Sequence, residues 1–214
     1  MPGDPADRTS ELRRDVSAAM NNAWVQREGY TAPNTDVYPW LWLWDSCFHS
    51  LVWAAVGDPD RAVAELTAAL STIDEAGFVA HMGYQLDPDE PVELWGRSGS
   101  SSITQPPMFG HTIASLHRSG VAVAPELLAD ATRALDHLLH DRPRTAGLIE
   151  IVHPWETGCD DSPRWDDLCP GEGFDLALWR RHKVEILASI DRGPSGAPLH
   201  NPRFAVGSVG FNAL

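Results

Sequence analysis

Apolar residues recur at helical spacing along most of this chain. Leu12, Val16, Met20, Ala23 and Trp24 fall three and four positions apart, which predicts one buried helix face. A second helix is expected to open at Asp45, to carry Phe48, Leu51, Val52, Ala55 and Val56, and to end at Gly57. Asp58-Pro59 supplies a cap and a first-turn proline for a third. That helix buries Ala62, Val63, Leu66, Leu70 and Ile73 and stops at Gly77, before a short extended piece from Phe78 to His81. Residues 86 to 106 are rich in Pro, Gly and Ser, hold Trp95 and Arg97, and read as a long loop of the kind that carries function. Helical signals resume at Pro107 through Met108, Ile113 and Leu116 to Gly120, and again at Pro125 through Leu127, Leu128, Ala131, Leu135 and Leu138. Leu148 to Val152 alternates weakly, and a last helix is expected from about Phe174 to Ile190.

Short-linked helix pairs without clear strands predict an all-α fold. An α-solenoid and a toroid of helical hairpins both fit. Long loops after individual helices favour the toroid, whose loops converge on one face, and no internal repeat supports the solenoid. Residues 1–214 read as a single domain. Its Gly/Pro-rich connection at 191–202 leads into Phe204, Val206, Val209, Phe211 and Leu214, which read as the start of a further helix left without partners. The chain is therefore expected to be the N-terminal part of a longer domain.

Composition narrows the function classes. A chain of 214 residues can build a real core. Its net charge of −14 argues against nucleic acid and against anionic membrane surfaces. Met1 to Asp15 contains no apolar core of a secretory signal, and stretches such as Leu51 to Val56 are too short to span a bilayer. Cys47, Cys159 and Cys169 are odd in number and form no Cys-x-x-Cys pair, so neither a disulfide framework nor a zinc knuckle is expected. A reducing cytoplasm is the expected compartment. His137 and His140 lack a third partner, so no metal site and no cofactor are predicted. A homo-oligomer stays open.

The run Trp155-Glu156-Thr157-Gly158-Cys159-Asp160-Asp161-Ser162-Pro163-Arg164-Trp165-Asp166 concentrates carboxylates between two indoles, broken by Gly158 and Pro163. It reads as a loop that presents side chains. Aromatic rings stack on pyranose faces, and their low dielectric helps a nearby acid hold its proton. Tyr38-Pro39-Trp40-Leu41-Trp42-Leu43-Trp44-Asp45-Ser46-Cys47-Phe48-His49 is the second candidate. If extended, it puts Trp40, Trp42 and Trp44 on one side. Asp45 suits a helix N-cap, or a carboxylate that accepts from sugar hydroxyls. In Thr104-Gln105-Pro106-Pro107-Met108 two prolines hold Gln105 extended ahead of a helix, either as a simple helix entry or as an amide that reads a hydroxyl. His81 fits a structural role or a ligand contact.

Trp44-Asp45-Ser46, then Gln105-Pro106-Pro107, then Glu156-Thr157-Gly158-Cys159-Asp160 with Ser162, Arg164 and Trp165 occur in that order. This order resembles the (α/α)6-toroid glycosidases, the clan that holds trehalase and processing α-glucosidase I. The fuller strings around Tyr38 and His153 look most like the bacterial glucosylglycerate and mannosylglycerate hydrolases, and the likeness covers most of residues 10 to 214. It implies an inverting hydrolase of a small glycoside, with Asp160 as general acid. It also implies that Tyr38, Trp42, Trp44, Asp45, Gln105 and Trp155 grip the sugar to be cleaved; His81 and Gly158 complete the candidate binding set. The family's general base is a glutamate further downstream, which this chain does not match; nothing around Glu172 or Glu185 resembles its motif. The resemblance therefore implies the N-terminal half of a toroid whose activity is impaired. Trehalase-like activity and an inactive sugar-binding remnant are the alternatives.

Overall fold

The first turns of this fold follow from local chemistry. α1 (Pro5–Ala23) leads into a ribbon of β1 (Trp24–Val25) and β2 (Tyr30–Thr31). β3 (Leu41–Trp42) runs directly into α2 (Leu43–Val56), which Gly57 ends at φ 95°, a left-handed angle that favours glycine. Asp58 Oδ1 then accepts from Arg61 N–H at 3.1 Å and Pro59 opens α3 (Pro59–Leu70), so cap and proline turn the chain back into a hairpin. β4 (Met82–Gly83) pairs with β3, and α4 (Val92–Trp95) is a single turn inside the long loop. α5 (Met108–Arg118) and α6 (Pro125–Asp136) follow, α6 passing into a π-helical turn at His137–Asp141. β5 (Arg144–Thr145) and β6 (Leu148–Ile151) come next, then two 3₁₀ turns, Pro154–Thr157 and Pro163–Leu168. α7 (Leu176–Ala188), β7 (Asp191–Arg192), β8 (Pro198–His200), β9 (Val206–Gly207) and α8 (Val209–Asn212) complete the order.

This computed structural model describes residues 5–90, 92–171 and 173–213. Its main core joins α2, α3, α5, α6 and α7 around Trp53, Leu66, Leu70, Phe109, Leu116 and Trp179. A second cluster, Met82, Tyr84, Trp95, Ile103, Val152, Leu187 and Ile190, with Trp40, Trp42 and Trp155 packed on it, lies beneath the loops. No helix among the described residues is long and apolar enough to cross a membrane.

The fold departs from the helical pattern in four places. Short antiparallel strands of two to four residues tie loop to loop in four small sheets, where clear strands were not expected. Such strands are too short to show alternation in a sequence, and in two of the five strand pairings among the described residues the partners lie far along the chain, Leu41 with Gly83 and Glu150 with Gly207. α3 stops at Leu70 rather than near Gly77, because Asp74 Oδ1 accepts from the N–H groups of Ala76 and Phe78, both at 3.0 Å, and folds the chain into a turn. Asp45 is not a cap: Trp42 precedes the helix, and the first helical N–H groups are met from elsewhere. Leu43 N–H donates to His81 O at 2.9 Å and Trp44 N–H to Gln105 Oε1 at 3.1 Å. The segment after Phe204 is partnered, not open. Phe204 and Phe211 are buried, Phe204 lies edge-on to Trp165 at 5.4 Å, and Asn212 exchanges hydrogen bonds with Ile149 at 2.8 and 3.0 Å. Leu214 lies outside the described residues.

Candidate active site

The β3–β4 pairing sets Trp42 and Trp44 at the opening of α2, and the buried loop after α4 docks against them. Ser100 to Gln105 are all buried despite their polarity, because their groups are satisfied. His81 N–H donates to Ile103 O at 2.8 Å, Ser101 Oγ meets His81 Nδ1 at 2.6 Å, and Arg192 donates to Ser102 Oγ at 3.2 and 3.1 Å. Thr104 N–H donates to Glu156 Oε1 at 3.1 Å. Glu156 is fully buried, and its Oε2 accepts from Arg142 Nη2 and Val152 N–H, both at 2.8 Å. One ion pair therefore fastens the Gln105 loop to the 3₁₀ turn that carries Trp155.

Gly158 ends that turn at φ 66°. A Cβ there would fall 2.2 Å from Trp44 Cζ2, so the indole of Trp44 lies directly on the Gly158 backbone. Glycine is needed twice over, for the left-handed angle and for this close approach. Next along, Asp160 Oδ2 accepts from Lys183 Nζ at 2.5 Å, Asp161 Oδ1 from the same ammonium at 2.7 Å, and Trp179 Nε1 donates to Asp160 O at 3.1 Å. Lys183 itself is buried on α7, with Trp155 and Trp179 rings 5.7 and 5.8 Å from its nitrogen.

These elements enclose a cavity of about 480 Å³ lined by Pro33, Tyr38, Trp42, Trp44, Asp45, His81, Met82, Trp95, Gln105, Trp155, Gly158 and Asp160. Every residue proposed from the sequence for the site lies on it. Its wall is a run of rings in edge contact: Tyr38 to Trp42 at 5.7 Å, Trp42 to His81 at 5.4 Å, His81 to Trp95 at 5.2 Å, and Trp95 to Trp155 at 5.8 Å. A larger hollow of about 780 Å³ along α1, lined by Thr9, Ser10, Arg13, Arg14, Ser17 and Val56, has neither an aromatic wall nor a carboxylate. We therefore place the site at the smaller cavity.

Burial sets the charge state of several groups here. His81 is pushed down to about 3, first by burial and then by its neighbour His153, so it stands neutral. His153 is likewise pushed down to about 3; its Nε2 donates to Lys183 O at 2.9 Å while Nδ1 accepts from Trp155 N–H at 3.1 Å. Burial raises the Asp45 carboxyl. With Gln105 Oε1 engaged by Trp44 N–H, the amide NH₂ is the group left to read a hydroxyl. Trp42 Nε1 is buried and has no hydrogen-bond partner among the described residues.

The structure corrects parts of the sequence picture. Only Leu41 and Trp42 of the tryptophan run are extended, and Trp40 turns away to pack on Tyr84 at 5.5 Å and donate to Glu90 at 3.1 Å. Trp165 is core rather than cleft, donating to Cys159 O at 3.0 Å. Glu156 is a buried strut. Pro33, Met82 and Trp95 join the lining, and Lys183 stands behind Asp160, unforeseen. One signal pointed to Lys183: it shares helical spacing with Trp179, Ile186 and Leu187 on the buried face of α7, where a lysine needs a counter-ion. Glu185 lies off the cavity, paired with His182 at 3.4 Å and Arg203 at 3.8 Å, and Glu172 lies outside the described residues. All three cysteines are free, and no group of three or more His, Cys, Asp or Glu that could hold a metal occurs among the described residues.

An aromatic-walled pocket with carboxylates on an α-helical scaffold defines a glycoside hydrolase domain by resemblance to known proteins. The chain belongs to the mannosylglycerate hydrolase MGH1-like glycoside hydrolase family, whose domain matches residues 38–214. It is 35% identical over 230 residues to the mannosylglycerate hydrolase of Thermus thermophilus, covering 88% of this chain and 54% of that protein. It is 30% identical over 224 residues to the glucosylglycerate hydrolase of Mycolicibacterium hassiacum, covering 91% of this chain and 49% of that one. The crystal structure of a GH63 mannosylglycerate hydrolase from Thermus thermophilus, in complex with Tris and D-glycerate, superposes with a TM-score of 0.70 at 26% identity, over 94% of this chain and 56% of the other. The chain thus spans about half the length of the curated relatives it matches.

Proposed function

We propose that this chain supplies the saccharide pocket and the proton donor of an inverting glycoside hydrolase acting on a small glycoside such as glucosylglycerate or mannosylglycerate. Asp160 protonates the glycosidic oxygen as the bond breaks. Tyr38, Trp42, Trp44, Asp45, His81, Gln105, Trp155 and Gly158 hold the sugar ring. The observation that carries this reading is convergence: residues from four separate segments, 38–45, 81, 105 and 155–160, line one cavity of a size suited to a hexose with a small aglycone. Indole faces suit the apolar side of a pyranose, while Asp45, Gln105 and Trp42 Nε1 offer an acceptor and donors for hydroxyls.

Inversion needs a second carboxyl about 6.5–9.5 Å from the acid, with a water between base and sugar. Asp45 and Asp160 are the carboxylates among the described lining residues, and Asp45 is assigned here to hydroxyl binding. The reading therefore draws the base from outside these 214 residues, and treats the helical hairpins as the N-terminal part of an (α/α)6 toroid. Without that base, hydrolysis is expected to fall by about 10²–10⁴-fold. The lack of a second uncommitted carboxylate in the cavity also favours, as second reading, a domain that binds sugar without turning it over.

Hydrolysis of glucosylglycerate, mannosylglycerate and trehalose, measured side by side for the wild type and Asp160→Asn, separates these readings. In the protein that carries the downstream base, cleavage of a glycerate glycoside, lost by about 10²–10⁴-fold in the variant, is the expected result. Turnover indifferent to Asp160→Asn removes it as the acid, and a preference for trehalose moves the substrate. Quenching of tryptophan fluorescence by the glycosides without turnover leaves the binding domain.

A further inference from the structure

The ammonium of Lys183 is almost wholly enclosed, its side chain 4% exposed, and it holds two carboxylates at once. Asp160 lies on the cavity and is 29% exposed; Asp161 faces outward at 54% and takes a further hydrogen bond from Trp179 Nε1 at 3.1 Å. A buried ammonium with one counter-ion would be stranded whenever that counter-ion took up a proton, at a cost typical of an unpaired buried charge. Two counter-ions remove the difficulty. When Asp160 is protonated, Asp161 still compensates Lys183. When Asp160 gives its proton away, the new carboxylate is received by a hydrogen bond already in place.

We infer that Lys183 and Asp161 form a charge-compensating pair that positions Asp160 and lets it alternate between protonated and ionised forms. The inference rests on the reading of Asp160 as the acid. The step it serves is balanced simply. The Asp160 O–H bond breaks, its proton goes to the glycosidic oxygen, and the glycosidic C–O electron pair stays on that oxygen while water forms the new bond to the anomeric carbon and yields a proton to the base. Lys183 keeps its own protons throughout. Since Oδ2 is engaged by Lys183, Oδ1 is the oxygen left to carry the transferred proton toward the cavity.

The surroundings support this role. His153 packs against Lys183 from the preceding 3₁₀ turn and is kept neutral by burial and by the positive charges of Lys183 and Arg192, so it adds no competing cation. Its Nε2–H bond to Lys183 O anchors that stretch of α7 to the Trp155 turn. His182 and Glu185 on the same helix pair with each other, at 3.4 Å. Asp45 and His81 line the same cavity as Asp160, and Cys159 precedes it in the chain.

Carbon-13 NMR of the aspartate carboxyls, with Asp160 assigned through Asp160→Asn, reads this directly in the 214-residue chain and requires no turnover. Asp161→Asn leaves Asp160 as the sole counter-ion, so its titration midpoint should fall. Lys183→Met removes the ammonium, so the midpoint should rise. Opposite shifts are the signature; a purely structural role would give loosened packing without them. Equal midpoints in all proteins, or shifts of the same sign, overturn the pair. Should Lys183→Met fail to fold, the half-exposed Asp161→Asn decides alone: a lowered midpoint supports the pair and an unchanged one refutes it. Hydrolysis by Asp160→Asn separates this inference from the proposed function. Shifted midpoints with undiminished hydrolysis keep the charge coupling and discard the acid. Unshifted midpoints with abolished hydrolysis keep the acid and discard the pair.

Discussion

The wall of the cavity that carries Trp42, Trp44 and Asp45 and the wall that carries Gly158 and Asp160 are built on opposite principles. The first is assembled by neutral hydrogen bonds. β3 pairs with β4, Leu43 N–H finds His81 O, and Trp44 N–H finds Gln105 Oε1. The second hangs on buried charge: Arg142 with Glu156 below the Trp155 turn, and Lys183 with Asp160 and Asp161 beside it. The contrast suits a division of labour. In the proposed function the first wall grips sugar, for which neutral hydrogen bonds suffice, whereas the second moves a proton and needs a field able to hold either charge state. The two meet where Trp44 lies on Gly158.

Breaking the charged wall should cost most. Arg142→Met leaves Glu156 buried and unpaired, which typically costs about 3–5 kcal/mol. Urea unfolding should show that loss, and sugar quenching of tryptophan fluorescence should weaken because Thr104, next to Gln105, shares the same carboxylate. A loss under about 1 kcal/mol would mean that the two walls are held alike. Gly158→Ala strikes the seam between them. A left-handed angle costs a non-glycine residue about 1–2 kcal/mol, and overpacking about 1–3 kcal/mol more. Thermal melting should drop accordingly while Trp44 shifts its emission; unchanged emission would separate Trp44 from the Gly158 loop.

The smallest effect, which depends on pH, sharpens the comparison by probing what lies behind the neutral wall. Glu65 is fully buried there, accepting from Thr31 N–H at 2.7 Å and Trp53 Nε1 at 3.3 Å, and burial raises it to about 7. Its folded value lies above the ordinary unfolded one near about 4.3, so the folded state binds the extra proton. The stability it contributes is full below about pH 4.3 and is lost as pH rises through about 7. Glu65→Gln mimics the protonated form. The variant should match the wild type at about pH 4 and increasingly exceed it in urea as pH rises to about 7; parallel curves across that range would exclude Glu65 as the titrating group.

Much of this molecule was legible in the residues themselves. The α2–α3 hairpin was marked by Gly57, Asp58 and Pro59, since local caps and proline act within a few positions. Nine of the twelve cavity-lining residues, all but Pro33, Met82 and Trp95, were legible because their chemistry is unusual in pattern: indoles beside carboxylates, and a glutamine pinned by prolines. Asp45 and Glu156 show where that reading stops. Each looked locally like something else, a cap in one case and a presented carboxylate in the other, and distant partners reassigned both. His81 O and Gln105 Oε1 took over the helix start, and Arg142 drew Glu156 inward.

What the sequence determined by itself was helix periodicity, the punctuation between helices, and an inventory of groups with carbohydrate chemistry. Tertiary structure alone decided that Glu156 turns inward to Arg142, which tryptophan becomes core, and that a lysine on a buried helix face would meet Asp160. The physical reason is distance along the chain. Caps and periodicity act over a few residues, while Lys183 and Asp160 are 23 positions apart and Trp44 and Gln105 are 61, so those meetings exist only once the core has closed.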